Sequence, residues 1–248
     1  MRLLIVLADH AFDDPPPMLK TLAEAADMAP AKAHRYLVSL MRSGMVERDA
    51  PTGRYRLGPA ARHLGIRAIQ SLEAVRVVGA RLPALCAELQ FSVALSVWGN
   101  AGPTIIATED ARRPITIGTR VGEVLPLLAS ATGQVFTAFL PRTTTHELLA
   151  REMGAAAASD AEIDALLDTV RRTGLGATKG GLNSTVNALS TPVFDYRGVL
   201  VAALSALGPA DQFDPDRDGA LGRRVAQLGR ALSLDLGWTD ELGAGSRA

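Results

Sequence analysis

Cysteine is almost absent from this 248-residue chain, which limits the compartments and the kinds of site that the protein can have. The single cysteine, Cys86, cannot form an internal disulfide or a cysteine-rich metal site, and its neighbours Leu85 and Ala87 favour a buried thiol. Long apolar runs are missing too, since no stretch approaches the roughly 18 residues that a membrane span needs. The early run LLIVLA is too short, and the DDPPP that follows it differs from a signal-peptide cleavage region. We therefore expect a cytoplasmic protein with no membrane association.

Motifs for catalysis and metal binding are also missing. The sequence has neither a G-x-S-x-G nucleophile motif nor an H-E-x-x-H zinc motif, and its four histidines stand at positions 10, 34, 63 and 146. The stretch GLGATKGG, residues 174–181, resembles a phosphate-binding loop, but it follows a predicted helix and fits neither the dinucleotide nor the P-loop spacing. Gly174 is better explained as a helix cap. The sequence predicts a protein that is not an enzyme and has no cofactor.

An overall excess of one charge is absent, because 26 basic and 26 acidic side chains give a formal net charge of zero. The distribution along the chain is nevertheless uneven. Residues 28–62 hold seven basic and two acidic side chains, a net charge of +5, whereas residues 1–27 hold two basic and five acidic ones. A positive patch of this density is typical of a surface that meets a polyanion, although a solvated basic helix gives the same count.

The segment from Met28 to Gly44 predicts a helix with one apolar and one basic side. Pro30 suits the first helical position, and Gly44 supplies a stop. Positions 33, 37, 40 and 41 are apolar and share one arc, while the basic side chains lie opposite. Two shorter helices are predicted before this one, and two short strands joined by a turn over residues 50–53 follow it. This order is that of a winged helix-turn-helix.

A winged helix-turn-helix lays its third helix in the major groove of DNA, and its wing reaches the backbone or the minor groove. Basic side chains contact phosphates or guanine edges, and a serine hydroxyl can contact a phosphate or a base edge. An alanine methyl can pack against a thymine methyl. The predicted DNA contacts are Ala31, Lys32, His34, Arg35, Ser39, Arg42 and Arg54. The alternative is a helical hairpin with a solvated basic surface. The strand pair directly after the third helix favours DNA binding over that alternative.

The remainder of the chain predicts a linker helix and a mixed α+β domain. Apolar residues from Ala61 to Leu82 repeat at spacings of three, four and seven on one helix, which indicates either a seam between two copies or the core of one chain. Apolar β runs then alternate with amphipathic helices. A sheet covered by helices is the economical way to bury such faces.

A binding site is predicted where small and polar residues interrupt the apolar pattern. Residues 130–132 open a short helix, and backbone N–H groups at a helix start suit a carboxylate. Further polar candidates, in a glycine-flanked loop and an apolar strand, are Thr178, Asn183, Asn187 and Ser205. For Ser205, a hydrogen bond to the neighbouring strand is an equally good explanation. His146 is expected on the surface of a helix rather than in a site.

Two segments resemble the IclR family of bacterial transcriptional regulators: APAKAHRYLVSLMRSGMVERDAPTGRYRLGP and, much later, ALSTPVFDYRGVLVAALSALGP. The resemblance covers residues 2–238. It implies an α+β protein in which an N-terminal winged helix-turn-helix is joined by a linker helix to a GAF-like α/β effector-binding domain. It also implies a homodimer or tetramer. The corresponding boundaries are 1–58, 59–79 and 80–238, followed by a flexible tail over 239–248.

The resemblance also implies an effector pocket, formed in the family by the segment that leads into the short helix, a later loop and the paired strands. Matched by position, the implicated residues are Ile117, Leu125, Ala131, Thr132, Thr178, Ala188, Ser205 and Leu207. Asn183, one of the polar residues in the glycine-flanked loop, is a further predicted effector contact. A glutamate and a glycine common in the family loop are replaced here by Gly181 and Thr185, and the histidine or carboxylate clusters that hold zinc in some relatives are missing. The missing clusters predict that no metal is bound, and the helix start at residues 130–132 predicts a carboxylate effector.

Three hypotheses follow from the sequence. The leading one is a ligand-responsive regulator that binds a double-stranded DNA operator as a homodimer or tetramer and senses a small organic acid. The second is an enzyme acting on small acids, whose N-terminal unit only mediates protein association. The third is a sensor that contacts a protein partner through its basic helix.

Overall fold

The structure, a computed structural model, describes residues 1–11, 15–70, 73–111, 119–153 and 159–239. The chain divides into two compact units, Met1–Ser71 and Leu72–Ala248, each with its own apolar cluster. The division falls inside the predicted linker. In the described ranges, no helix is both long and apolar enough to cross a bilayer. The predicted tail lies outside these ranges apart from its first residue.

The N-terminal unit has three helices, a two-stranded wing and a fourth helix. Its elements are α1 (Arg2–Asp9), α2 (Leu19–Ala25), α3 (Pro30–Arg42), β1 (Val46–Arg48), β2 (Tyr55–Leu57) and α4 (Pro59–Gln70). The first three helices each bury an apolar side, and Tyr55 from the wing completes the cluster. The strands pair antiparallel, with Glu47 opposite Arg56. This arrangement confirms the predicted winged helix-turn-helix.

The turn between α2 and α3 is tight, which fixes the direction of the third helix. Asp27 has a φ of 53°, a left-handed value that aspartate tolerates better than most residues. Pro30 occupies the first turn of α3, as expected. Gly44, with a φ of 71°, follows the last turn and lets the chain reverse into β1.

The helices after the wing differ from the single linker helix that the sequence predicts. Between Pro59 and Leu89 the structure has α4, then α5 (Glu73–Gly79) and α6 (Leu82–Leu89), so the expectation that Leu82 continues one helix is wrong. Pro83 is the physical reason, because proline lacks the N–H that a helix interior needs and is accepted in a first turn. Cys86 lies on α6 and is buried, and burial raises the pKa of its thiol.

The C-terminal unit is an α/β domain with a five-stranded antiparallel sheet of order β4-β3-β7-β6-β5. Its further elements are β3 (Ser92–Gly99), β4 (Gly102–Glu109), α7 (Ala131–Phe139), α8 (Arg142–Met153), α9 (Asp160–Thr173), β5 (Gly176–Lys179), β6 (Val186–Phe194), β7 (Leu200–Pro209) and α10 (Ala220–Asp235). Side chains alternate along β7: Leu204 belongs to the cluster with α6 and α10, and Ala203 to the cluster with α7 and α9. Helices therefore cover both faces of the sheet.

Strand β5 occupies part of the segment that the sequence predicts to be a loop. Gly174 caps α9 with a φ of 68°, as predicted, but residues Gly176–Lys179 then pair with β6. Four residues without apolar alternation carry no strand signal, so the assignment depends on the pairing available in the folded sheet. Thr178 consequently lies on an edge strand, and Asn187 lies in β6 rather than in the loop.

The start of α7 is packed against backbone on two sides. A Cβ added at Gly133 would stand 2.0 Å from the carbonyl oxygen of Pro126, and one added at Gly176 would stand 2.1 Å from that of Ala131. Real carbon atoms do not approach oxygen so closely, so only glycine permits this packing.

We expect Gly133→Ala to lower the free energy of unfolding by about 2 kcal/mol, because the added methyl forces the 126–127 segment away from α7. Urea unfolding followed by circular dichroism measures the change. Gly79→Ala is the matched control, since nothing lies within 4 Å of its added Cβ. Equal stability of the two variants would contradict the packing described here.

Candidate functional site

The outward side of α3 presents the first candidate site, a row of exposed cations. Lys32, Arg35 and Arg42 are all exposed, and none of them pairs with a carboxylate in the part of the chain that the structure describes. The other residues predicted on this helix are also exposed: Ala31, His34 and Ser39. The opposite side of the helix, with Ala33 and Leu37, is fully buried. Burial of that side is what turns the cations outward.

Arg54 differs from the other predicted DNA contacts because its guanidinium bonds within the unit. Its Nη1 donates to the carbonyl oxygen of Pro16 at 2.6 Å, and the next residue, Tyr55, donates its backbone N–H to Pro17 at 3.0 Å. These bonds hold the wing to the segment before α2. The exposed wing cations are Arg48 and Arg56, and both lie in the basic stretch.

The second candidate site is a cavity of about 300 Å³ in the C-terminal unit, between the sheet and the start of α7. Eight predicted effector contacts line it: Leu125, Ala131, Thr132, Thr178, Asn183, Ala188, Ser205 and Leu207. The ninth, Ile117, lies outside the described residues. Strands β3 to β7 all contribute to the wall, so residues distant in sequence meet here only through the sheet order.

A buried row of hydroxyls joins α7 to the sheet beside this cavity. Thr132 Oγ1 and Ser205 Oγ are 2.7 Å apart, and Ser205 also donates to Ser190 Oγ at 2.9 Å. The bond to the neighbouring strand that was considered for Ser205 is therefore present, and Ser205 also lines the cavity. The three hydroxyls satisfy one another and can rotate toward a ligand.

The first turn of α7 offers backbone donors to the same space. Ser130 caps the helix, because its Oγ accepts from the N–H of Gly133 at 2.8 Å and donates to the carbonyl of Pro126 at 2.6 Å. The N–H groups of Ala131 and Thr132 have no acceptor among the residues described. Both residues are buried and line the cavity. Such a helix start stabilises a negative charge that lies close to its first turn.

The segment before α7 is held by two buried or half-buried side chains. Glu152 accepts the N–H groups of Leu127 and Leu128 at 2.6 and 3.1 Å. Gln134 donates from Nε2 to the carbonyl of Leu128 at 3.0 Å and accepts the N–H of Ala177 on its Oε1, also at 3.0 Å. These bonds fix the cavity wall to α8 on one side and to β5 on the other.

The loop over residues 180–185 forms another part of the wall and is tied down by Asn187. This buried side chain accepts the N–H of Gly180 at 3.0 Å and donates to the carbonyl of Phe213 at 2.8 Å. Within the loop, Asn183 accepts from the N–H of Thr185 at 3.0 Å. Asn187 therefore positions the loop without lining the cavity itself.

Sequence reasoning missed seven of the sixteen lining residues. They are Ala94, Ile105, Thr119, Glu123, Ala129, Leu182 and Val186. Ser130 was noted as part of the helix start, but Glu123 stands in an irregular segment with no periodic signal. Its backbone pairs with β4, since its carbonyl accepts the N–H of Ile105 at 3.0 Å. No local pattern in the sequence encodes that pairing.

Both units of the chain match known protein families. Residues 66–234 match the family described as bacterial transcriptional regulator IclR C-terminal, and residues 1–50 match the IclR helix-turn-helix domain. The chain belongs to the IclR family. The crystal structure of Pseudomonas aeruginosa HmgR is 39% identical, with 96% of each chain covered and a TM-score of 0.64. The glycerol operon regulatory protein of Streptomyces griseus is 29% identical over 88% of each chain.

A further IclR-family structure shows the same fold with a ligand. The IclR homolog of Microbacterium hydrocarbonoxydans complexed with 4-hydroxybenzoate is 19% identical, covers 98% of each chain and has a TM-score of 0.72. The family and these relatives are transcriptional regulators and not enzymes. The protein is accordingly a transcriptional regulator of the IclR type. Among the residues that the structure describes, no group of three histidine, cysteine, aspartate or glutamate side chains could hold a metal ion.

Arg54→Ala is expected to lower the free energy of unfolding of the N-terminal unit by about 1 to 2 kcal/mol, because the carbonyl of Pro16 loses a charged donor. Thermal unfolding followed by circular dichroism measures it. Arg56→Ala, two residues away and exposed, serves as the control and should leave stability within about 0.5 kcal/mol. Equal melting temperatures for the two variants would show that the Pro16 contact contributes nothing.

Proposed function

We propose that this IclR-family regulator binds double-stranded operator DNA through α3 and the wing, and that a small organic acid bound in the C-terminal cavity controls this binding. The observation that carries the DNA assignment is the row of unpaired cations on the outward side of α3. An unpaired, exposed row of arginine and lysine is suited to phosphates and guanine edges. The proposed contacts are Ala31, Lys32, His34, Arg35, Ser39 and Arg42, with Arg54 positioned to support the wing.

The acid assignment rests on the polarity of one part of the cavity. Two N–H groups at the start of α7 can donate to a carboxylate, and the hydroxyl of Thr132 can join them by turning away from Ser205, which keeps its own bond to Ser190. Donors of this kind stabilise a negative charge that has left water. The volume of about 300 Å³ lies at the small end of the range for ligand pockets, which suits a molecule with one ring or a short chain. The 4-hydroxybenzoate complex of the Microbacterium relative supports an acid of this size.

Assembly as a homodimer or tetramer is part of the proposal. On α4, the side chain of Leu64 is 58% exposed, and Ala61 and Ala68 lie one turn away on the same side. An exposed leucine between two alanines suits a seam with the same helix of a second copy. Two copies would present two α3 helices, which matches the two half-sites of a palindromic operator.

The effector can act only by binding more tightly to one arrangement of the regulator than to another. Acid in the cavity would then change the population of the DNA-binding arrangement, and bound operator would change the affinity for the acid by the same factor. The coupling is therefore measurable from either ligand.

Arg35→Ala and Arg42→Ala should each weaken operator binding and flatten its dependence on salt. Each lost phosphate contact reduces the slope of log K against log salt by about 0.9. Fluorescence anisotropy provides the measurement, with an operator selected from random duplexes and titrated between about 50 and about 200 mM KCl, where affinity depends steeply on salt. Arg151→Ala, an exposed arginine on α8, is the control and should leave the slope unchanged.

The DNA assignment would be wrong if both variants bound the selected operator as tightly as the unaltered protein did. Loss of binding with an unchanged salt slope would point instead to a structural role for these arginines. The melting temperature of each variant, recorded in parallel, separates that case from loss of the fold.

Thr132→Val should reduce the affinity for an acid about tenfold, because it removes one hydroxyl donor while keeping the shape of the side chain. Thr137→Val is the matched control: Thr137 is buried on the same helix, but its hydroxyl donates to the carbonyl of Gly133 and does not line the cavity. A thermal-shift screen of aromatic and aliphatic acids identifies the tightest acid, and calorimetry measures both variants. Equal loss of affinity in the two variants would contradict the placement of the acid at Thr132.

A further inference from the structure

Glu123 brings a negative charge into a cavity that is proposed to bind an acid. It is the only charged side chain among the cavity-lining residues that the structure describes, and it is half-buried. Its Oε2 accepts the backbone N–H of Arg120 at 3.2 Å, and no described residue donates to its Oε1. One carboxylate oxygen is thus available to a ligand.

The position of Glu123 is opposite to that of the proposed carboxylate donors. The segment that carries it lies along β4, where Leu125 donates its N–H to Pro103 at 2.8 Å. Strand β4 is one edge of the sheet, and β7, which carries Ser205, is the third strand from that edge. Neighbouring strands lie about 4.8 Å apart, and the Glu123 segment pairs with the free edge of β4, so this segment and β7 are three spacings, roughly 14 Å, apart. Glu123 and Ser205 both line the cavity, so the cavity extends from one of these positions to the other.

The surface between the two ends is apolar. It is formed by Ala94 on β3, Ile105 on β4, Leu207 on β7 and Leu125 in the segment after Glu123. A ligand in this space therefore meets donors at one end, hydrocarbon in the middle and an acceptor at the other end. An acceptor that a ligand covers without supplying a donor loses its water and gains nothing, which costs binding free energy.

We infer that the cavity selects organic acids that carry a hydrogen-bond donor, a hydroxyl or an amino group, at the end remote from the carboxylate, and that Glu123 is the residue that determines this selectivity. The inference rests on the proposed acid-sensing function and specifies its substrate class. An acid with an apolar remote end leaves Oε1 unpaired, and a dicarboxylate places a second negative charge against it. Both are disfavoured.

Calorimetry of the full-length protein with five related acids tests the inference. Donor-bearing probes are 4-hydroxybenzoate and 4-aminobenzoate, which separate hydroxyl from amino chemistry. Probes without a donor are benzoate and 4-methylbenzoate, the latter close in shape to the hydroxylated acid, and terephthalate supplies the second carboxylate. We expect at least one donor-bearing acid to bind about tenfold more tightly than 4-methylbenzoate, and terephthalate to bind weakest.

Substitution of Glu123 connects the preference to this residue. Glu123→Leu should abolish or reverse the preference for the donor-bearing acid over 4-methylbenzoate. Glu123→Gln has a single carbonyl oxygen, so it can keep the bond from Arg120 or accept from the ligand at the Oε1 position but not both, and it should show a reduced preference. Glu147→Leu, an exposed glutamate on α8 outside the cavity, should leave all five affinities unchanged. The melting temperature without ligand shows whether each variant is folded.

Equal affinity for the donor-bearing acids and 4-methylbenzoate, or an unchanged preference in a folded Glu123→Leu or Glu123→Gln variant, would overturn the inference while leaving acid sensing intact. Failure of the unaltered protein to bind any of the five, together with failure across the wider acid panel, would overturn the proposed function as well.

Discussion

The hydrogen bond between Thr132 on α7 and Ser205 on β7 connects the first turn of a helix to the third strand of the sheet, and both residues line the cavity. The helix start can lie this close because glycines at 133 and 176 leave room for neighbouring backbone. Ser130 then caps the turn, and Gln134 links it to β5. The backbone N–H groups of the first turn are therefore held in fixed directions, which reduces the entropy that binding of a ligand would otherwise cost.

In the N-terminal unit, the arrangement depends instead on the division of α3 into a buried side and an exposed side. Ala33 and Leu37 supply the apolar side, and the tight turn at Asp27 sets the direction in which the cations project. The wing is fixed separately, through Arg54 and Tyr55, to the segment before α2. Basic residues in one short stretch therefore serve two purposes: some bind within the unit, and others remain exposed.

Sequence patterns predicted those parts of the fold in which periodicity and end signals agree. The amphipathic α3, with Pro30 at its start and Gly44 after its end, is one example, and the capped helix ending at Gly174 is another. Strand β5 and the break before Leu82 were missed, because pairing with β6 and the position of Pro83 decide them rather than the apolar repeat. The two failures have different origins: for β5 a tertiary pairing overrides a weak local preference, whereas at Leu82 the apolar repeat was followed past a local signal, the proline at position 83.

The site was predictable to the extent that its residues lie on regular elements or match a family position. Thr132, Ser205 and Ala188 belong to that group. Glu123 does not, because its irregular segment reaches the cavity only through backbone pairing with β4. The bond from Arg54 to Pro16 was not predictable either, since charge alone cannot tell a cation that faces solvent from one that bonds to a carbonyl of its own unit.

The anchoring of the 180–185 loop by Asn187 bears on how ligand preference can change among relatives. Asn187 follows the loop in β6, and its buried amide accepts the N–H of Gly180 at the start of the loop while it is anchored to the carbonyl of Phe213, so the start of the loop is held at a set distance from β6. Adding or removing a residue between Gly180 and Asn187 would leave the buried Asn187 amide without its hydrogen-bond partner. Exchanging the side chain of Leu182 or Asn183 would not. We expect this part of the wall to diversify by replacement of side chains at constant length.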